Sequence, residues 1–136
     1  MKLYVLCGLS RAGKTTYGKK LAAETDAELI SFDDYQYLAF EYMPPDMERV
    51  VLEKVRDELR SGKDVIYDSM NLRAETRKHI LTACQTDGCK CVCVCINTPL
   101  DIIAKRGKVM FADSFELPSL DEGFDEVRII QETGEQ

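Results

Sequence analysis

Gly8-Leu9-Ser10-Arg11-Ala12-Gly13-Lys14-Thr15 carries the spacing G-x-x-x-x-G-K-T. That spacing suits the gripping of phosphate. Several backbone N–H groups must converge on phosphate oxygens, and glycine tolerates the turns and close approach this requires. A helix opening at Lys14 would add the partial positive charge of its N-terminus. Lys14 then reaches the β- and γ-phosphates, Thr15 offers its hydroxyl to Mg²⁺, and Thr16 gives support. The expected ligand is ATP or another nucleoside triphosphate. The residues expected to hold it are Gly8, Ser10, Arg11, Ala12, Gly13, Lys14, Thr15 and Thr16.

Three acids add chemistry to that grip. Asp33 and Asp34 follow the second strand-like segment, and Asp68 follows the third. In open α/β sheets ligands sit beyond the carboxyl ends of the strands. Phosphoryl transfer needs one carboxylate to orient or deprotonate the attacking hydroxyl and another to hold Mg²⁺. Asp33 or Asp34 suits the first role. Asp68, with Thr15, suits the second. One member of the Asp33/Asp34 pair can instead cap the segment at Tyr35, and spacing leaves that division open.

The elements that must position these residues alternate in type. Leu3–Cys7, Glu28–Phe32, Asp64–Tyr67, Cys89–Ile96 and Val127–Ile130 read as strands. Helices are expected from Lys14 to about Glu24, after an Asp46 cap, after an Asn71 cap, and after Thr98-Pro99 read as cap and first-turn proline. The second carries a stripe of Met47, Val50, Val51, Val55 and Leu59, and Gly62 closes it. In the third, Leu72, Thr76, Ile80, Leu81 and Cys84 share a face. Alternating strands and helices predict a three-layer α/β sandwich, with a parallel sheet of about five strands covered on both faces. The whole chain, 1–136, reads as one domain.

The combination of elements resembles the polynucleotide-kinase-like P-loop kinases, which include the kinase domain of the phage 5′-hydroxyl polynucleotide kinases. The matching pieces are Gly8–Thr15, Ser31-Phe32-Asp33-Asp34-Tyr35, Asp68-Ser69-Met70-Asn71-Leu72 with Arg73 and Arg77, Thr98-Pro99-Leu100 leading to Lys105-Arg106, and Pro118–Val127. The resemblance implies that Asp33 is the general base and Asp34 its structural neighbour. It implies that Asp68 lies near metal and acceptor, and that Asn71 shapes its loop. Lys105 and Arg106 would open a lid that brings positive charge to the transferring phosphate. The family's usual acceptor-gripping arginine is replaced here by Gln36. Little room for lid helices remains between Arg106 and Glu116, which leaves Lys108, Arg11 or Arg73 to supply a missing cation. Catalysis is therefore expected from Asp33, Lys14 and Arg106. Acceptor contacts are expected from Asp34, Gln36, Asn71 and Arg73.

Composition bounds the acceptor. The 136 residues carry a net charge of -6 and a pI near 4.9, which argues against broad coating of nucleic acid but not against a local site for one strand end. Tyr35, Tyr37, Phe40 and Tyr42 can stack an acceptor base or fill core. The first expectation is a kinase acting on a nucleic-acid 5′-hydroxyl. The alternatives are a small-molecule kinase and a nucleotide-binding module without transfer. Of six cysteines, Cys89, Cys91, Cys93 and Cys95 alternate along one strand. Same-face neighbours sit ~6.5–7 Å apart, too far to close a tetrahedral metal site, so buried reduced thiols are expected. Such thiols fit a cytoplasmic protein. No apolar run approaches the ~20 residues of a membrane helix. His79 reads as a surface residue.

Overall fold

A computed structural model describes residues 1–32 and 47–131. Asp33, Asp34 and Gln36 lie outside the described residues. So do the aromatic group Tyr35, Tyr37, Phe40 and Tyr42, the cap Asp46 and the tail Thr133–Gln136. The strands are β1 (Lys2–Cys7), β2 (Glu28–Ser31), β3 (Val65–Asp68), β4 (Lys90–Ile96) and β5 (Glu126–Ile130). Among the described residues the helices are α1 (Lys14–Thr25), α2 (Met47–Arg60), α3 (Ala74–Ala83) and α4 (Leu100–Arg106). Ala112–Ser114 and Leu120–Glu122 form short 3-10 turns.

All four strand pairings are parallel, and the sheet order is β2-β3-β1-β4-β5. β1 therefore lies at the centre, and its residues from Leu3 to Cys7 are buried, as a strand covered on both faces must be. Alternate side chains enter two separate cores. Leu3, Val5 and Cys7 join Val51, Val55 and Leu59 of α2 and Ile80 of α3 on one face. Tyr4 and Leu6 join Leu21 of α1 and Ile103 of α4 on the other. Cys93 and Cys95 are buried in the first core, with Cys89 and Cys91 packed against it, so the four cysteines share a face as expected. All six thiols are free, and burial pushes those of Cys84 and Cys91 up to about 12. Among the described residues no cluster of His, Cys, Asp and Glu is arranged to hold a metal.

Three local expectations need correction. Val50 is exposed, and Leu52 takes its place in the buried stripe of α2. Asn71 does not cap α3. It adopts a left-handed conformation (φ 47°) and is buried, its amide turned to the Leu6 carbonyl, while Arg73 occupies the cap position. Thr98 does not cap α4 either. Its hydroxyl donates to the Ala12 carbonyl at 2.6 Å, and Pro99 is the cap residue. In both cases a short polar side chain meets a distant carbonyl of the phosphate-binding region instead of a local N–H.

Among the described residues, no helix is long and apolar enough to cross a membrane.

Candidate active site

The C-terminal ends of β2, β1 and β3 are level. Ser31 and Leu6 both pair with Asp68. Beyond β1 the chain turns at Gly8, whose φ of 151° and close approach to β4 both require glycine. A Cβ there would lie 2.8 Å from the Ile96 carbonyl oxygen. The loop is then pinned at several points. Gly8 N–H donates to the Met70 carbonyl at 3.0 Å, and Ala12 N–H donates to the Leu9 carbonyl at 3.0 Å. Gly13, at φ 103°, precedes the first turn of α1, where Tyr17 N–H closes onto the Gly13 carbonyl.

Three neighbouring cavities lie along this edge. The first, about 400 Å³, is lined by Ser10, Arg11, Gly13, Lys14, Thr15, Thr16 and Arg106. The second, about 270 Å³, shares Ser10, Lys14 and Thr15 with it and adds Phe32, Asp68 and Ser69, closing against Met70, Met110 and Phe111. The third, about 310 Å³, is largely apolar. Phe32, Tyr67, Met70, Leu72 and Phe111 form its walls, with Asn71 and Arg73 among its polar groups.

At the middle cavity the Thr15 hydroxyl donates to Asp68 Oδ2 at 3.1 Å, and Asp68 is buried. Two hard oxygen donors thus converge beside the phosphate loop. They suit Mg²⁺, which takes few protein oxygens and completes its shell with phosphate and water. Lys14 Nζ donates to the Leu9 carbonyl at 3.1 Å from within the loop. Arg106 at the end of α4 donates to the Arg11 carbonyl at 2.9 Å. Gly8 and Ala12 are buried and brace the loop; neither lines the first cavity. Thr16 does line it.

The Asn71 loop forms the floor shared by the second and third cavities, and it is held from several sides. Asn71 Nδ2 donates to the Leu6 carbonyl at 2.7 Å. Arg77 of α3 donates through Nη1 to the Asn71 carbonyl at 2.9 Å. The same guanidinium forms a fork on Glu122, at 2.7 and 3.0 Å, and is itself fully buried. Glu122 Oε2 also accepts from Ser119 N–H at 3.2 Å. Glu116 N–H donates to the Leu72 carbonyl at 2.8 Å, and its carboxylate lies 3.6 Å from exposed Arg73. Burial pushes the Tyr67 phenol up, with Glu48 adding to the shift, so the cavity wall keeps it neutral. Lys105 is exposed and lines none of the three cavities, and His79 is exposed.

The structure thus gathers Lys14, Thr15, Asp68, Asn71, Arg73, Arg11 and Arg106 along one edge. Phe32, Ser69, Met110, Phe111, Arg77 and Glu122 complete it without having been singled out as site residues. For Arg77 a signal existed, since it stands at helical spacing from Ile80 and Cys84 on the buried face. Phe111 had none, because it belongs to an irregular segment.

A family model described as an AAA domain matches residues 3–110. The chain belongs to the AAA domain family. Among curated proteins, none matches its sequence. Solved structures match its fold. A sugar kinase from Janibacter sp. HTCC2649 superposes with a TM-score of 0.68 at 17% identity, covering 96% of this chain and 85% of that one. A chain of the Pnkp1/Rnl/Hen1 complex gives 0.70 at 22% identity, covering 99% of this AAA domain and 48% of its own length. The APS kinase of Mycobacterium tuberculosis in complex with AMPPNP and APS gives 0.57 at 17%, covering 77% and 67%. At these identities the likeness establishes a P-loop kinase fold, with five parallel strands between helices.

Proposed function

We propose that this AAA domain is an ATP-dependent phosphotransferase whose acceptor is a hydroxyl, foremost the 5′-hydroxyl of a nucleic acid. The observation that carries the reading is the Thr15–Asp68 pair set between the phosphate cavity and the apolar cavity. Lys14 and the loop amides hold the nucleotide's phosphates. Thr15 and Asp68 would hold Mg²⁺, which neutralises phosphate charge. Asp33, following Phe32 in the chain, takes the proton of the acceptor hydroxyl. The hydroxyl oxygen bonds to the γ-phosphorus as its bond to the β-phosphate oxygen breaks, and ADP leaves. Arg106 adds charge where it develops.

The apolar walls offered by Phe32, Tyr67 and Phe111 suit a stacked base, and Arg73 beside them suits a phosphate. Two observations favour a second reading, in which the acceptor is a nucleoside or another metabolite. The net charge is -6, and a cavity of about 310 Å³ is sized for one small molecule. Cytoplasmic residence accords with the free thiols.

The test offers γ-labelled ATP and Mg²⁺ with a 5′-hydroxyl DNA, a 5′-hydroxyl RNA and a nucleoside pool, to the protein and to Asp33→Asn. Label on an oligonucleotide end that disappears in Asp33→Asn is the expected result. Label on small molecules alone moves the acceptor to the second reading. ATP bound without any label leaves a nucleotide-binding module, and equal transfer by Asp33→Asn removes the general-base assignment.

A further inference from the structure

Arg11 is an arginine where the backbone favours glycine. Its φ is 67°, and the left-handed conformation costs a side-chain-bearing residue free energy that glycine avoids. Residues held this way concentrate at functional sites. The neighbourhood is fitted to its side chain. A Cβ on Gly107 would lie 2.3 Å from Arg11 Nε, 2.6 Å from Cζ and 2.8 Å from Cδ. The φ of Gly107, 160°, is extended backbone open to any residue, so space for the Arg11 side chain is what its glycine provides.

A second arginine reaches the backbone of the first. Arg106 donates to the Arg11 carbonyl at 2.9 Å, and both side chains line the cavity of Ser10, Lys14 and Thr15. Among the described residues neither guanidinium is ion-paired. Two cations that line one cavity, with no ion-pair partner among the described residues, form a receptor for a polyanion, and the planar fork of arginine matches phosphate oxygens.

We propose that Arg11 supplies, from within the phosphate loop, a second guanidinium to the terminal phosphate of the bound nucleotide beside Arg106. The proposal rests on the nucleotide occupying the first cavity. It gives the short segment after Arg106 a reason to lack a second arginine, since the loop already carries one. It also sets Arg11 apart from the loop amides, which serve the inner phosphates. The terminal phosphate distinguishes ATP from ADP, so Arg11 acts on that distinction.

The decisive variant is Arg11→Gly, which relieves the left-handed strain while removing the guanidinium. Calorimetric titration with a non-hydrolysable ATP analogue and with ADP, both with Mg²⁺, reads the ratio of the two affinities. Melting of the nucleotide-free protein reads the fold. The expected result is a melting temperature equal to or above that of the unaltered protein. The ATP-analogue affinity should fall about tenfold or more, the scale of one charge-assisted hydrogen bond, with ADP affinity nearly unchanged. Gly107→Ala, which displaces the Arg11 side chain without removing it, should shift the ratio in the same direction by less. An unchanged ratio in Arg11→Gly, or equal weakening of both ligands, overturns the proposal. Failure of the unaltered protein to bind either nucleotide overturns it together with the phosphotransferase reading. A changed ratio in a protein that labels no acceptor upholds Arg11 and refutes transfer alone.

Discussion

Removing the Arg77 side chain should be among the most damaging single changes outside the apolar cores. Arg77 is fully buried and Glu122 is 6% exposed, and two hydrogen bonds of 2.7 and 3.0 Å join them. Arg77→Met leaves the Glu122 carboxylate in a space that water scarcely reaches and takes the donor from the Asn71 carbonyl. Breaking a buried pair by deleting one partner costs about 3–5 kcal/mol. A domain of this kind holds only about 5–15 kcal/mol in total. The double change Arg77→Met/Glu122→Leu removes both charges together, and an apolar replacement of a buried pair is often neutral. What then remains is the orphaned Asn71 carbonyl, at about 1–3 kcal/mol, and the Ser119 N–H, which is exposed and can turn to water. Urea unfolding followed by far-UV circular dichroism is the assay, because the chain has no tryptophan. With a slope of about 1–3 kcal/mol per molar, the single variant should lose at least about 1 M in midpoint, and the double variant should recover a large part of it. A single variant within about 0.5 kcal/mol of the unaltered protein would refute the reasoning, as would a double variant no more stable than the single one.

Lys14→Ala should abolish detectable nucleotide binding in the same titration while leaving the melting temperature within a few degrees, since Lys14 Nζ makes a loop contact rather than a core one. Thr15→Ala and Asp68→Asn should each raise the Mg²⁺ concentration needed for half-maximal transfer. Their effects should not add, because the two oxygens lie 3.1 Å apart and would hold one ion between them. Thiol titration of the folded protein at pH 8 should find Cys89 and Cys91 slowly reactive and Cys7, Cys84, Cys93 and Cys95 silent, with all six appearing in urea. Rapid reaction of Cys93 or Cys95 would contradict their burial.

The five strands and their parallel pairing followed from apolar runs ending at turn residues, and the phosphate loop from its spacing alone. Asn71 and Thr98 were misread for one shared reason. Each stands one or two residues before the observed cap, and local rules weigh only the nearest N–H groups. The Leu6 and Ala12 carbonyls that claim them are distant in sequence. Arg77 escaped notice as a site residue because a helical stripe is scored on apolar residues, whereas its partner Glu122 comes from an irregular segment. The apolar cavity was equally hidden. It is assembled from the ends of β2 and β3, the Asn71 loop and Phe111, pieces that periodicity describes only singly.

The hydrogen bonds that fasten the phosphate loop come from both sides of β1. Met70 holds Gly8 from beyond β3, and Thr98 holds Ala12 from beyond β4. The loop is thereby slung between two neighbours of the central strand and cannot open on its own hinges. The two bonded amides of the loop, those of Gly8 and Ala12, should exchange with deuterium far more slowly than those of an ordinary surface loop. A nucleotide then meets a receptor whose ordering was completed when the sheet formed, so little of its binding energy goes into shaping the loop.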